Sequence, residues 1–276
     1  GILKGKKPGK VLALRADMDA LPVSEDNELP YRSKVKAIFS GQESGVMHAC
    51  GHDTHVAILM GVAEYLAQNN DFYGTVKFIF QPAEEGPPQG EKGGARLMVE
   101  EGVLENPKVD AIYGLHINSA TPVGQVRYKS KGIMAAAQRF VIDVQGKQAH
   151  GSQPWMSVDP ILISAKIIDG LQTIISRNSE LTKEGAVISV GSIHSGIRFN
   201  IIPDTARMVG TVRTLDENMK QKIIKRMQEM VPQIAAAYGG TAEIDIFESA
   251  ALTYNDPTLT ETAVKSLKKA LGENQV

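Results

Sequence analysis

Two spacings of apolar residues succeed one another along this chain. Val11-Leu12-Ala13-Leu14-Arg15 is a short apolar run, the pattern of a buried strand, and Ala16–Asp19 reads as the polar turn that follows it. Residues 20–50 hold Pro22, Pro30, Gly41 and Gly45 with little periodicity and read as mostly loop. From Asp53 to Gln68 the residues Val56, Leu59, Met60, Ala63 and Leu66 recur at helical spacing, with Asp53 or Thr54 as N-cap. Thr75–Phe80 is a second strand, ending in Gln81-Pro82-Ala83-Glu84-Glu85. A Gly/Pro-rich loop then leads to a helix near Gly94–Glu101, and Ala111–Leu115 is a third strand with His116 at its C-terminal end.

The pattern then changes. Gly124–Lys129 and Gln138–Val144 read as paired strands, followed by Gly146–His150 and a Pro-containing loop. Asp159–Ser176 is a strong helix with Ile161, Leu162, Ala165, Ile168 and Ile175 on a broad face. Ala186–Ile193 and Arg207–Arg213 are strands, Asp216–Ala237 a long amphipathic helix, Thr241–Phe247 a strand and Thr258–Leu271 a last helix. The order β-α-β-β-α-β across 135–247 makes a domain-sized unit. Strand–helix alternation of the parallel-sheet kind flanks it, so a smaller domain is inserted into a larger α/β one.

Composition narrows the function classes. The 276 residues carry 30 Lys+Arg against 31 Asp+Glu, a net charge of −1 that argues against an electrostatic nucleic-acid binder. No apolar run reaches the ~18–20 residues of a membrane span. The single Cys excludes an internal disulfide framework and suits a reducing, cytoplasmic compartment. Gly1-Ile2-Leu3-Lys4-Gly5 is neither a signal peptide nor a usual initiator.

That Cys lies where the histidines are densest. Met47-His48-Ala49-Cys50-Gly51-His52-Asp53-Thr54-His55 holds three of the six His. A thiolate and an imidazole two positions apart can both ligate a borderline-soft cation such as Zn²⁺, and Gly51 between them lets the loop bend. A buried free Cys beside solvent-exposed His is the plainer alternative. Asp17 and Asp19, Glu84-Glu85 and His116 each follow a strand, and sites in open parallel sheets gather beyond the carboxyl ends of strands. Four segments thus deliver carboxylates, thiol and imidazoles to one predicted edge. Adjacent glutamates can also divide labour, one ligating a metal and the other accepting a proton from water whose pKa the metal lowers toward 7.

Leu14–Pro22, His48–His55, Gln81–Gly86 and Gly114-Leu115-His116, in that order, resemble the aminoacylase/carboxypeptidase metallopeptidase family. The similarity is to its amidohydrolase branch, with hippurate hydrolase, N-acyl-amino-acid amidohydrolases and indoleacetyl-amino-acid hydrolases. The resemblance implies a zinc-peptidase-like α/β catalytic domain with a mostly parallel central sheet, and an inserted α+β (βαββαβ, ferredoxin-like) dimerisation lid. The expected boundaries are 1–130 and 249–276 for the catalytic domain and 131–248 for the lid. It implies two divalent metal ions (Zn, Mn, Co or Ni), bridged by Cys50, with His52, Glu85 and His116 as terminal ligands. Glu84 is then the general base, and Asp19 an outer carboxylate orienting the site. Asp17 stands where other branches carry a metal-binding His. His150 matches a His that reaches into the partner subunit's site and stabilises the oxyanion. Asn200 and Arg213 match residues that hold the substrate's carbonyl and carboxylate. The expected activity is hydrolysis of the amide bond of N-acyl or aminoacyl amino acids, in a homodimer, with no nucleic-acid or membrane partner.

The chain departs from the family pattern. The family's last ligand is a His near the C-terminus before a Ser-Pro, and no His follows His194. The family's N-terminal helices before the first strand are missing too. The expectation is therefore a whole lid with part of a catalytic domain. Two other readings stand beside the favoured one: a cysteine hydrolase with Cys50 as nucleophile and His52 or His116 as base, and a non-catalytic, metal-poor chain. Trp155 and Met156 either line the acyl pocket or pack the lid.

Overall fold

In the computed structural model, which describes residues 1–87 and 91–276, the apolar runs near the N-terminus are strands of one sheet. The chain divides into two units, Gly1–Val123 and Gly124–Val276. In the first, β1 (Ile2–Lys4), β2 (Lys7–Asp17), β3 (Lys36–Phe39), β4 (Gln42–Gly45), α1 (His52–Gln68), β5 (Tyr73–Gln81), α2 (Gly94–Glu100) and β6 (Ala111–Gly114) follow in order. The sheet runs β1-β5-β2-β6. Its pairs β2–β5 and β2–β6 are parallel and β1–β5 antiparallel, so β2, β5 and β6 present their carboxyl ends at one edge. Leu59 of α1 packs on Ala16, Val76 and Phe78, with Val62, Ala63 and Leu66 around them.

Three local expectations change in this unit. β2 continues through Ala16 to Asp17, opposite Gln81, so Asp17 is the end of a strand rather than part of a turn. Residues 36–45 form a hairpin turning through Ser40 and Gly41, both at positive φ. Its strand β3 is exposed at every position, so there is no buried face to generate alternation. Helix α1 begins at His52 with Gly51 as N-cap, without a side-chain cap, in place of Asp53 or Thr54. Its buried face includes His52 and His55 as well as Leu59, which apolar spacing cannot reveal. The Gly/Pro-rich loop before α2 lies partly outside the described residues.

In the second unit, β7 (Lys131–Met134), β8 (Ala136–Gln145), β9 (Ala149–His150), α3 (Pro160–Asn178), β10 (Ala186–Ser195), β11 (Ile201–Ile202), β12 (Thr205–Thr214), α4 (Glu217–Ala237), β13 (Thr241–Ala250), β14 (Thr253–Asn255) and α5 (Pro257–Leu271) follow in order. The antiparallel sheet β10-β12-β8-β13 turns Phe140, Ile142 and Val144 of β8 and Ala206, Met208 and Val212 of β12 into the core. Helices α3 and α4 pack on the same core through Ile163, Ile167, Leu171 and Ile174, and through Ile223, Met227, Val231 and Ala235. Asp159 and Asp216 cap them, accepting from Ile161 and Leu162 and from Met219. The buried face of α3 is rotated from the expected one, leaving Ile161 and Leu162 half exposed. This helix is apolar most of the way round, so spacing alone does not choose a face. Gly124–Lys129 is not a strand. The edges of β8 are taken by β12 and β13, while Val126 donates to the Gln275 carbonyl at 2.8 Å. The last segment joins this unit, with β14 paired to β7. No helix among the described residues is long and apolar enough to cross a membrane.

Lys77 is a charge used structurally. It lies on β5, 6% exposed, and its Nζ donates to the carbonyls of Val103, Glu105 and Pro107 at 2.9, 2.6 and 3.0 Å. The segment so held leads into β6. Lys77→Met keeps most of the side-chain volume but strands three acceptors, with an expected loss of about 2 kcal/mol. The check is a lower urea midpoint at an unchanged slope; an unmoved midpoint would mean that water replaces the ammonium at no cost.

Candidate metal centre

The carboxyl edge of the first sheet collects the Asp, Cys/His, Glu-Glu and His segments. Asp19 follows β2 and accepts from two of them. Its Oδ1 and carbonyl lie 3.1 and 3.0 Å from His52 Nδ1, and its Oδ2 accepts from the Glu85 amide at 3.0 Å. The loop carrying Cys50 is tied to the β2 side by paired Leu21 and Met47 backbone bonds of 2.9 and 3.1 Å. Gly51 then closes it at φ 80°, beneath Ile117, whose Cδ1 would lie 2.2 Å from any added Cβ. Ala83 at φ 50° turns the chain into Glu84 and Glu85.

Hydrogen bonding sets both imidazoles to present bare Nε2 atoms. His52 uses Nδ1–H on Asp19, and His116 uses Nδ1–H on the Ile117 carbonyl at 2.6 Å. The Nε2 of His116 faces Cys50 Sγ at 3.4 Å. The Nε2 of His52 is buried without a hydrogen-bond partner among the described residues, 3.9 Å from Glu84 Oε2. Donor atoms of Cys50, His52 and His116 lie within 4.8 Å of one another, as do those of His52, Glu84 and Glu85. Two three-donor groups therefore share His52.

The electrostatics call for a cation. Burial raises the Cys50 thiol, and the Glu85 hydrogen bond with the charges of Glu85, Glu84 and Asp17 raises it further, to about 11. A thiol so placed is a poor free nucleophile, which weighs against the cysteine-hydrolase reading. Burial, then the neighbouring Glu85 charge, pushes Glu84 up. Burial also works to raise Asp19, but the Glu85 and Glu84 amides and His52 outweigh it and hold its carboxyl below the usual range. A buried imidazole nitrogen with no proton, a thiol and two facing glutamates fit divalent metal ions chemically.

Asp17, His52 and His55 also lie close enough to form a donor group, but the atoms of Asp17 and His55 are engaged otherwise. Asp17 Oδ1 accepts from His55 Nδ1 at 2.5 Å and Oδ2 from Arg15 at 2.6 Å. His55 Nε2 accepts from the Ile117 amide at 2.9 Å. Burial tends to raise the Asp17 carboxyl, but the His55 hydrogen bond and the Arg15 charge prevail and lower it. Sequence reasoning gave His55 no role. The available signal was its place three residues after His52, on the same helical face.

His150, Asn200 and Arg213 belong to the second unit. β9 and β11 pair His150 with Ile201, and the Gly151 amide donates to the Asn200 carbonyl at 2.8 Å, so His150 and Asn200 are brought together. The Ser152 amide donates to His150 Nδ1 at 3.1 Å, which leaves the neutral ring's proton on Nε2. Asn200 Oδ1 is buried without a hydrogen-bond partner among the described residues. Arg213 stands on β12 opposite Val187 and Ala137, its guanidinium on Thr211 Oγ1 and the Val212 carbonyl. Trp155 is 75% exposed and Met156 54%, so neither packs into the core of its unit.

A mostly parallel sheet with thiol, imidazole and carboxylate donors at its carboxyl edge is the build of a metal site in an α/β fold. The chain belongs to peptidase family M20/M25/M40, which it matches over residues 13–276. It is 45% identical over 269 residues to a thermostable carboxypeptidase of Saccharolobus solfataricus, covering 97% of this chain and 65% of that protein. To the N-acetylcysteine deacetylase of Bacillus subtilis it is 42% identical over 262 residues, covering 95% of this chain and 65% of that protein. Among solved structures, it matches a dinuclear metal-binding peptidase of the M20 family from Bacillus subtilis with a TM-score of 0.78 and 38% identity, covering 98% of this chain and 65% of that one. A structure from methicillin-resistant Staphylococcus aureus matches with a TM-score of 0.87 and 39% identity, covering 98% and 68%. The chain thus spans about 65% of the length of the curated relatives described here.

Proposed function

We propose that this protein hydrolyses the amide bond of N-acyl or aminoacyl amino acids, releasing a free amino acid and a carboxylic acid. The observation that carries this reading is the buried Nε2 of His52, without a hydrogen-bond partner among the described residues and within reach of two donor groups. Cys50, His52, Glu85 and His116 would hold two divalent ions. Zn, Mn, Co and Ni all suit such a set. Divalent ions there would polarise the scissile carbonyl and lower the pKa of the attacking water. Asp19 fixes the His52 tautomer, and the Glu85 hydrogen bond to the Cys50 thiol favours Glu85 over Glu84 as ligand. Glu84 is then the base: it takes a proton as water adds to the carbonyl carbon, and returns it to the amine as the C–N bond breaks.

The lid, residues 131–248, is ferredoxin-like and serves as the contact surface of a homodimer. Its edge strand β10 carries the exposed Val187 and Ile193, an edge suited to pairing with a second copy. His150 donates its Nε2–H to the oxyanion formed in the other copy's site, Asn200 holds the substrate's carbonyl, and Arg213 its free carboxylate. The names of the two relatives above, a carboxypeptidase and a deacetylase of N-acetylcysteine, support a substrate with a small acyl group and a free carboxylate.

The test is release of free amino acid from a panel of N-acetyl amino acids and dipeptides by the natural full-length protein. Turnover should vanish after chelation and return with Zn²⁺, Mn²⁺, Co²⁺ or Ni²⁺. Chelator-insensitive turnover would overturn the reading.

A further inference from the structure

We infer that His55 and Asp17 form a buried positioning pair that aims His116 at the metal centre by gripping the Ile117 amide. This rests on the reading of His116 as a metal ligand and extends it to residues behind the site. β6 is a short edge strand ending at Gly114, so the sheet ladder does not reach His116. Its ring is placed by the next peptide instead. Ile117 uses both backbone polar groups for this. Its carbonyl accepts from His116 Nδ1 at 2.6 Å, and its amide donates to His55 Nε2 at 2.9 Å.

His55 can accept there only with its proton on Nδ1, and Asp17 secures that tautomer from 2.5 Å. Asp17 is in turn held by Arg15 at 2.6 Å, and the Arg15 Nε donates to Gln81 Oε1 at 2.9 Å. Asp17 and His55 are 1% and 2% exposed, so water does not compete for the bond between them. The His55 and His116 rings also meet edge to face, centroids 4.7 Å apart. A run of contacts from β2 and β5 through helix α1 therefore ends on the orientation of His116. The same bonds argue against a third ion between Asp17, His52 and His55, because an ion there would displace the Ile117 amide or Arg15.

The experiment is Co²⁺ titration of the metal-free, natural full-length protein, followed by calorimetry and by the thiolate-to-cobalt absorption of Cys50. In His55→Asn the shorter amide keeps a donor near Asp17 but no longer reaches Ile117. Co²⁺ affinity at the position using His116 should fall about 10–100-fold. His55→Gln places an amide oxygen near the lost Nε2 and should keep most of the affinity. His116→Ala should weaken binding at least as much as His55→Asn, and adding His55→Asn to it should weaken binding no further. A wild-type titration in His55→Asn would overturn the inference, as would an equal loss from that change in both backgrounds. If His55→Asn does not fold, Asp17→Ala takes its place in the same cycle: a loss of Co²⁺ affinity present with His116 and absent in His116→Ala supports the role, and a wild-type titration or an equal loss in both backgrounds overturns it. A wild type that takes up no Co²⁺ would overturn the metal reading itself.

Discussion

Glu84→Gln should lower turnover by ~10²–10⁴-fold, the usual contribution of a positioned general base, while both metal ions remain bound. The amide nearly matches the carboxylate in shape but cannot accept the proton of the attacking water. The same change at Glu85 should instead cost metal, because Glu85 is the glutamate that hydrogen-bonds the Cys50 thiol. Activity and metal content measured on the two variants side by side separate the roles. Metal lost from Glu84→Gln and retained in Glu85→Gln would exchange them.

Phe140→Ala should destabilise the protein by ~3–5 kcal/mol, the upper range for a fully buried aromatic. Phe140 lies at 0% exposure in the core of the second unit. Its ring covers Gly210 on the neighbouring strand so closely that an added Cβ there would sit 2.2 Å from Phe140 Cζ and 2.4 Å from the Ser189 carbonyl oxygen. Gly210 has no side chain to move into the vacated space, so the cavity stays open. A loss of this size is a large part of the 5–15 kcal/mol that holds typical domains folded. Urea unfolding checks it; a change below ~1 kcal/mol would mean that the sheet collapses onto the gap.

Much of the fold was legible because burial writes itself into spacing. The runs at 11–15 and 75–80 are short, apolar and bounded by polar residues, and both lie within parallel strands. Helix α4 buries every fourth residue from Met219 to Ala235, a stripe plain in the sequence. Where burial is absent or all-round, spacing is silent. The exposed hairpin at 36–45 left no alternation, and α3, apolar on most sides, did not reveal its inward face.

The site divides along the same line. The types and order of its residues are properties of the sequence: a lone Cys among histidines, paired glutamates after one strand and a His after another. Their convergence follows from parallel strands, whose carboxyl ends must share an edge. Tertiary structure alone decided which nitrogen of each imidazole is bare, because a tautomer depends on the partner of the other nitrogen. Those partners, Asp19 for His52 and the Ile117 peptide for His116, come from distant segments or from a backbone turn. It also decided that Asp17 and His55 stand behind the centre, since only folding brings Arg15 and the Ile117 amide to occupy their remaining atoms.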